Sequence, residues 1–199
     1  MTQAEETETR DGPAVRVPEV LPVLPSGGTI VYPFQLVPIL AAQERDIRAV
    51  DEAAASPAKM VGIFAQMPTE DGHYHGDLYE IGTAALVARM VKAPDGSINA
   101  ILQGVARIRL LSIEQAEPWM RARVERLPEV VDRDLEVEAL ARTAAALFQR
   151  IAELSELPQE LAMTVANIPD PGALADFVAS NVRLKPEDRQ AVLKTTDVR

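Results

Sequence analysis

Apolar and polar positions follow two textures along this chain. Over residues 17–129, short apolar runs alternate with proline and glycine punctuation; beyond them, apolar residues recur at helical spacing. In the first part, Val20-Leu21-Pro22-Val23-Leu24, Thr29-Ile30-Val31-Tyr32 and Val61-Gly62-Ile63-Phe64-Ala65 are short enough for buried strands. Residues 82–91 and 97–102 flank Pro94-Asp95-Gly96, which has the residues of a hairpin turn. Arg107-Ile108-Arg109-Leu110-Leu111 and Met120-Arg121-Ala122-Arg123-Val124 each alternate over a few positions, as strands do. One helix interrupts them near residues 44–55, with Ile47, Val50 and Ala54 on a shared face.

In the second part, Leu140, Ala144, Leu147, Ile151 and Leu154 form an apolar stripe that Phe148 widens. This helix should end before Pro158, because a proline disfavours helical backbone in the residue preceding it. Asp170-Pro171 reads as an N-cap followed by proline at the first helical position, opening a helix with Leu174, Phe177 and Val178 on one side. Pro186-Glu187-Asp188 opens another, its acids at the positive helix end. Thr195-Thr196-Asp197 looks like a helix stop and a new cap, the expectation being that more polypeptide follows. The predicted class is α+β: a tail over 1–16, a β-rich lobe over 17–129 and a helical lobe over 130–199.

Composition narrows the function. The 199 residues suffice for a sizeable core, and 47% hydrophobic with 25% charged is globular composition. Residues 1–16 are acidic and without periodicity, which predicts a disordered tail and neither a signal nor a transit peptide. No run reaches the ~20 apolar residues needed to span a bilayer. A net charge of −10 repels a polyanion, which argues against a nucleic-acid partner. The absence of cysteine removes disulfides, thiolate metal sites and a cysteine nucleophile, and fits an intracellular, cytoplasmic protein.

Candidate chemistry is sparse. No phosphate-binding Gly-x-x-x-x-Gly-Lys loop and no Gly-x-Ser-x-Gly elbow occurs, and no cofactor is expected in this chain. His73 and His75, in Asp71-Gly72-His73-Tyr74-His75-Gly76-Asp77, read as a surface loop because no spacing supplies a third metal ligand. The Arg107/Arg109 and Arg121/Arg123 pairs read as a solvated face neutralised by the many carboxylates. Tyr32-Pro33-Phe34-Gln35-Leu36-Val37-Pro38-Ile39 is an apolar run broken by two prolines, so it is not an uninterrupted central strand. Its side chains are either core plugs, the default for apolar residues, or an exposed adhesive surface. Trp119, after Pro118, is open in the same way.

The order of these pieces resembles the N-terminal region of Lon-type ATP-dependent proteases. The resemblance is carried by Leu21-Pro22-Val23-Leu24-Pro25, Val31-Tyr32-Pro33 and Val37-Pro38-Ile39, then by Glu44-Arg45-Asp46-Ile47-Arg48-Ala49 and Asp77-Leu78-Tyr79-Glu80-Ile81-Gly82-Thr83. It continues through Lys92-Ala93-Pro94-Asp95-Gly96, Gly104-Val105-Ala106-Arg107-Ile108-Arg109 and Pro118-Trp119-Met120-Arg121-Ala122-Arg123-Val124-Glu125. Ile168-Pro169-Asp170-Pro171-Gly172-Ala173-Leu174-Ala175-Asp176 and Leu184-Lys185-Pro186-Glu187-Asp188-Arg189-Gln190 complete it. Two positions depart from it: Ser26-Gly27-Gly28 stands where the family carries Leu-Arg and a small polar residue, and Trp119 where Tyr or Phe is frequent.

The resemblance implies a PUA-like β lobe, a pseudo-barrel with one helix, followed by a helical bundle. It further implies a chain that is not itself an enzyme and that recruits unfolded or damaged polypeptides. In the family such a chain precedes an ATP- and Mg-using AAA+ domain and a Ser-Lys peptidase, assembled as a homo-hexamer. Under that implication Tyr32, Pro33, Phe34 and Leu36 become the candidate substrate-binding residues, with Phe34 and Leu36 at least partly exposed and framed by Tyr32 and Pro33. Met67 and Trp119 are secondary candidates. The competing readings are a free-standing LON-domain adaptor or ligand-binding protein, an RNA binder, which the acidity opposes, and an independent hydrolase, which no motif supports.

Overall fold

The computed structural model describes residues 16–128, 135–155 and 157–198. The expected tail lies outside them except for Arg16, and so does the expected boundary at 129/130. Six strands, β1 (Val20–Pro25), β2 (Leu36–Ala41), β3 (Met60–Phe64), β4 (Ile81–Lys92), β5 (Ile98–Gln115) and β6 (Arg121–Arg126), are interrupted by one helix, α1 (Glu44–Ala55). Four helices follow: α2 (Leu135–Leu154), α3 (Gln159–Ala166), α4 (Pro171–Asn181) and α5 (Pro186–Lys194). The α+β class is as expected. The 159–166 helix was not read from the sequence, and the 29–32 run forms no strand.

The sheet order is β2-β5-β4-β3-β1-β6, and β6 also pairs with β5, closing five strands into a barrel with β2 alongside. Closure depends on β5. The expected separate strands at 97–102 and 107–111 are one element of 18 residues. Register shifts against β4 and β6 bend it, as bulges do at barrel corners. Its early residues alternate buried and exposed, so Ile98, Ala100 and Leu102 fill the interior while Asn99, Ile101 and Gln103 face out. β1 and β3 run parallel, and α1 lies within the crossover between them. Ala49, Val50 and Ala53 of α1 are buried against the strands, with Ile47 and Ala54 half-buried at their side.

Another apolar cluster, of Ile30, Tyr32, Ala65, Ile81, Ala179 and Leu193, joins the barrel to the helices. Beneath it runs a polar clasp. The Arg107 guanidinium donates to both carboxylate oxygens of Asp176, at 3.0 and 2.5 Å, and its Nε donates to the Leu193 carbonyl at 2.9 Å. Both side chains of the pair are buried. The reading of Arg107 as part of a solvated face is therefore corrected: α4 and α5 cover this end of the sheet, and a guanidinium can be buried there because three acceptor oxygens meet it. Arg109, one alternation along, stays half-exposed beside Glu80 and Glu125, and Arg123 bridges Glu19 and Glu114.

The helical stripe also divides. Phe148 is buried, and Val137 and Ala152 join it, but Leu140, Leu147, Ile151 and Leu154 are exposed. Helical spacing says which residues share a face; it does not say which face a neighbour covers. α4 follows expectation, with the Asp170 carboxylate accepting from the Ala173 N–H at 2.8 Å and Pro171 starting the helix.

Candidate functional site

The stretch 32–36 splits between core and surface. The Gln35 N–H donates to the Tyr32 carbonyl at 3.3 Å, with Pro33 and Phe34 as the central residues of the turn. Phe34 has φ of +64°, in the left-handed region. Proline followed by a positive φ is the pattern of a type II turn, whose second central position normally takes glycine. A phenylalanine there carries strain of ~1–2 kcal/mol. The strain is held in place from both sides: Phe34 N–H donates to the Gly104 carbonyl and Gly104 N–H to the Gln35 carbonyl, both at 2.9 Å. The Gln35 amide oxygen also accepts from Tyr32 N–H at 3.1 Å.

The turn decides what each side chain does. Tyr32 and Pro33 are buried, while Phe34 is 58% and Leu36 62% exposed. The Tyr32 hydroxyl donates to the Arg189 carbonyl of α5 at 2.9 Å. Burial, followed by the Asp176 carboxylate, pushes this phenol well above its ordinary pKa, so it stays a neutral donor. Phe34 and Leu36 stand at one wall of a groove of about 450 Å³, whose other wall includes Leu161, Ile168, Ala173 and Phe177 of the helical part.

β2 continues the surface. Leu36, Pro38 and Leu40 face outward, Leu40 at 64%, and Ile101 stands opposite Pro38 on β5, also exposed. Leu40 and Ile101 were not singled out from the sequence. The only signal was their phase relative to Phe34 and Leu36, and an unbroken apolar run does not show which alternate face is covered. Pro38 is accommodated because β2, which among the described residues pairs with β5 alone, is an edge strand.

The secondary candidates lie elsewhere and do not line the groove. Trp119 follows a cis Glu117–Pro118 bond and is half-buried against the cluster containing Leu24, Val50 and Leu102. Met67, 39% exposed, is in the loop after β3, its N–H donating to the Asp77 carbonyl. In that loop the rings of His73 and His75 stack 5.9 Å apart. Among the described residues no group of three or more His, Asp or Glu could hold a metal ion. The Tyr74 ring lies where a Cβ on Gly28 would come within 2.9 Å, and its hydroxyl donates to Glu187 at 3.1 Å. The Ser26-Gly27-Gly28 departure thus makes room for a loop that straps onto α5.

Residues 20–199 match the family profile described as the ATP-dependent protease La (LON) substrate-binding domain. The chain belongs to the LON substrate-binding domain family. It is 36% identical over 200 residues to a Lon protease of Dictyoglomus thermophilum, covering 100% of this chain and 24% of the relative. It is 42% identical over 193 residues to a Lon protease of Roseiflexus castenholzii, covering 96% and 23%. This LON domain therefore spans about a quarter of the length of the relatives it matches. The N-terminal domain of Mycobacterium avium complex Lon protease superposes with a TM-score of 0.74 at 25% identity, over 90% of this chain and 91% of that one. A Lon N-terminal domain protein from Xanthomonas campestris shares the fold, with a TM-score of 0.67 at 15% identity. The matched region is a substrate-binding domain and includes no protease or ATPase part. No helix among the described residues is long and apolar enough to cross a membrane.

Proposed function

We propose that this LON domain selects unfolded or damaged polypeptides for a Lon-type ATP-dependent protease, gripping them through Phe34 and Leu36. One observation carries this reading: a strained, doubly anchored turn holds Phe34 outward at the mouth of an apolar groove. Unfolded chains expose the apolar segments that native proteins bury, and a stiff turn loses little entropy when one docks. Tyr32 and Pro33 act as the turn's buried root. Leu40 and Ile101 extend the surface along β2, and Met67 and Trp119 remain outlying contacts.

A single small patch binds weakly, at roughly micromolar to millimolar strength. In a homo-hexamer, several patches add avidity. On this reading the longer cytoplasmic protein supplies a AAA+ domain using ATP and Mg and a Ser-Lys peptidase, and the chain alone turns over neither ATP nor peptide. A division into a β lobe ending near 129 and a helical lobe beyond it belongs to the same reading. A free-standing LON adaptor is the alternative, and a phosphate-binding loop downstream in the reading frame separates the two.

The test compares a destabilised client with its folded form, against the chain and against Phe34→Ser/Leu36→Ser. The chain should bind the unfolded client and largely ignore the folded one. The double variant should lose that binding with little change in melting temperature, because both side chains are mostly exposed. Equal binding to both client forms, or unchanged binding by the variant, would overturn the reading. A sharp drop in melting temperature would show the stretch to be a core plug, whose truncation costs ~2–5 kcal/mol.

A further inference from the structure

Among the described residues, β2 bonds to a neighbour along one side only. The hydrogen bonds between Gly104 and residues 34 and 35 fix the phase of its ladder with β5. Further along, Val37 stands opposite Leu102 and Ile39 opposite Ala100, so in an antiparallel ladder these are the pairs that exchange bonds. Leu36, Pro38 and Leu40 alternate with them and direct their backbone groups to the open edge. Pro38, which has no N–H to give β5, fits that phase. The edge therefore presents the N–H groups of Leu36 and Leu40 and the carbonyls of Leu36, Pro38 and Leu40. Beside it lies a slot of about 290 Å³ lined by residues 37–41. Buried Leu24, Val31, Ile63 and Leu102 line its depth, and Asp46 is the only ionisable residue among its walls.

We propose, on the client-recruiting reading above, that a short extended segment of the unfolded client adds to this open edge as a further strand and seats an apolar side chain in the slot. Three features favour that occupant. The first is continuity. Leu36 lines the groove and also begins β2, so a chain gripped by Phe34 and Leu36 runs directly onto the edge. The second is chemistry. N–H and C=O groups at strand spacing are satisfied by extended backbone of any sequence, which suits diverse unfolded chains, and alternate side chains find pockets. Asp46 and the net charge of −10 disfavour acidic segments. The third is Pro38. A permanent cover, from a second copy or from further polypeptide of the same chain, would make β2 an internal strand, where a proline forfeits a ladder bond; at an open edge it hinders lasting pairing. When two β2 edges pair antiparallel about Pro38, neither copy has a donor at the centre. A client loses only that one bond and is released for onward transfer.

Amide hydrogen exchange tests this on the unmodified chain. Alone, it should exchange fast at Leu36 and Leu40 and slowly at Val37 and Ile39, which bond to β5. A destabilised client should slow Leu36 and Leu40. A short peptide alternating leucine with threonine should do the same. Methylating one alternate set of its backbone nitrogens should weaken binding about ten-fold, through loss of the bonds to β2, while methylating the other set should change little. Client binding that leaves Leu36 and Leu40 exchanging freely, or peptide binding indifferent to which set is methylated, would overturn strand addition and leave recruitment by Phe34 and Leu36 standing. Slow exchange at both amides in the chain alone would overturn it by giving the edge to another occupant: a second copy if protection grows with protein concentration, the chain itself if it does not. A chain that binds no unfolded client would overturn both readings.

Discussion

The Tyr32 carbonyl oxygen occupies the space that a Cβ on Gly104 would need. Residue 104 is therefore glycine for steric reasons, and the turn at 32–35 is built directly against the β5 backbone. Gly104→Ala should displace the turn, break its two hydrogen bonds to residue 104 and cost about 3 kcal/mol. Chemical denaturation measures this, and client binding should fall with it. An alanine variant of unchanged stability would show that the turn is not anchored as described.

Phe34→Gly separates strain from recognition. Glycine adopts φ of +64° without steric penalty, so the turn should relax by ~1 kcal/mol, offset in part by the packing that the ring makes. Melting temperature should hold or rise by a few degrees while binding of an unfolded client weakens. Loss of stability together with retained binding would contradict both roles.

The Arg107–Asp176 pair ties β5 to α4. Removing one member leaves a buried charge uncompensated, so Arg107→Met or Asp176→Leu alone should lose ~3–5 kcal/mol. Arg107→Met/Asp176→Leu together should recover much of that loss, because no orphan charge remains. Additive losses in a denaturation cycle would show the two side chains to be uncoupled.

Asp46 adds a pH signature. Burial raises its carboxyl above the ordinary value of 3.8, despite Arg45 at 3.4 Å. Folding therefore disfavours its charged form, and this penalty grows as pH rises from the ordinary value through the raised one. Asp46→Asn should match the parent chain in melting temperature near pH 3 and exceed it at pH 7. A difference of the opposite sign at pH 7 would mean that Arg45 outweighs burial.

The sequence by itself determined the local structure: α1 at 44–55, the 94–96 turn, the Asp170 cap and the helix start at Pro186. Each depends on periodicity, on turn residues, or on a capping residue or proline at a helix start, and all of these act within a few residues of chain. It also placed the apolar turn with Phe34 and Leu36 on the list of candidates. Only the tertiary structure decided which apolar and charged side chains are covered. Tyr32 went inside and Phe34 outside because β5 lies behind the turn. Arg107 was buried because Asp176, 69 residues later, came to meet it. The leucines of α2 stayed exposed because α3 and α4 pack beside them. Burial is set by contacts between distant segments, and a local pattern of apolar residues carries no record of which partner arrives.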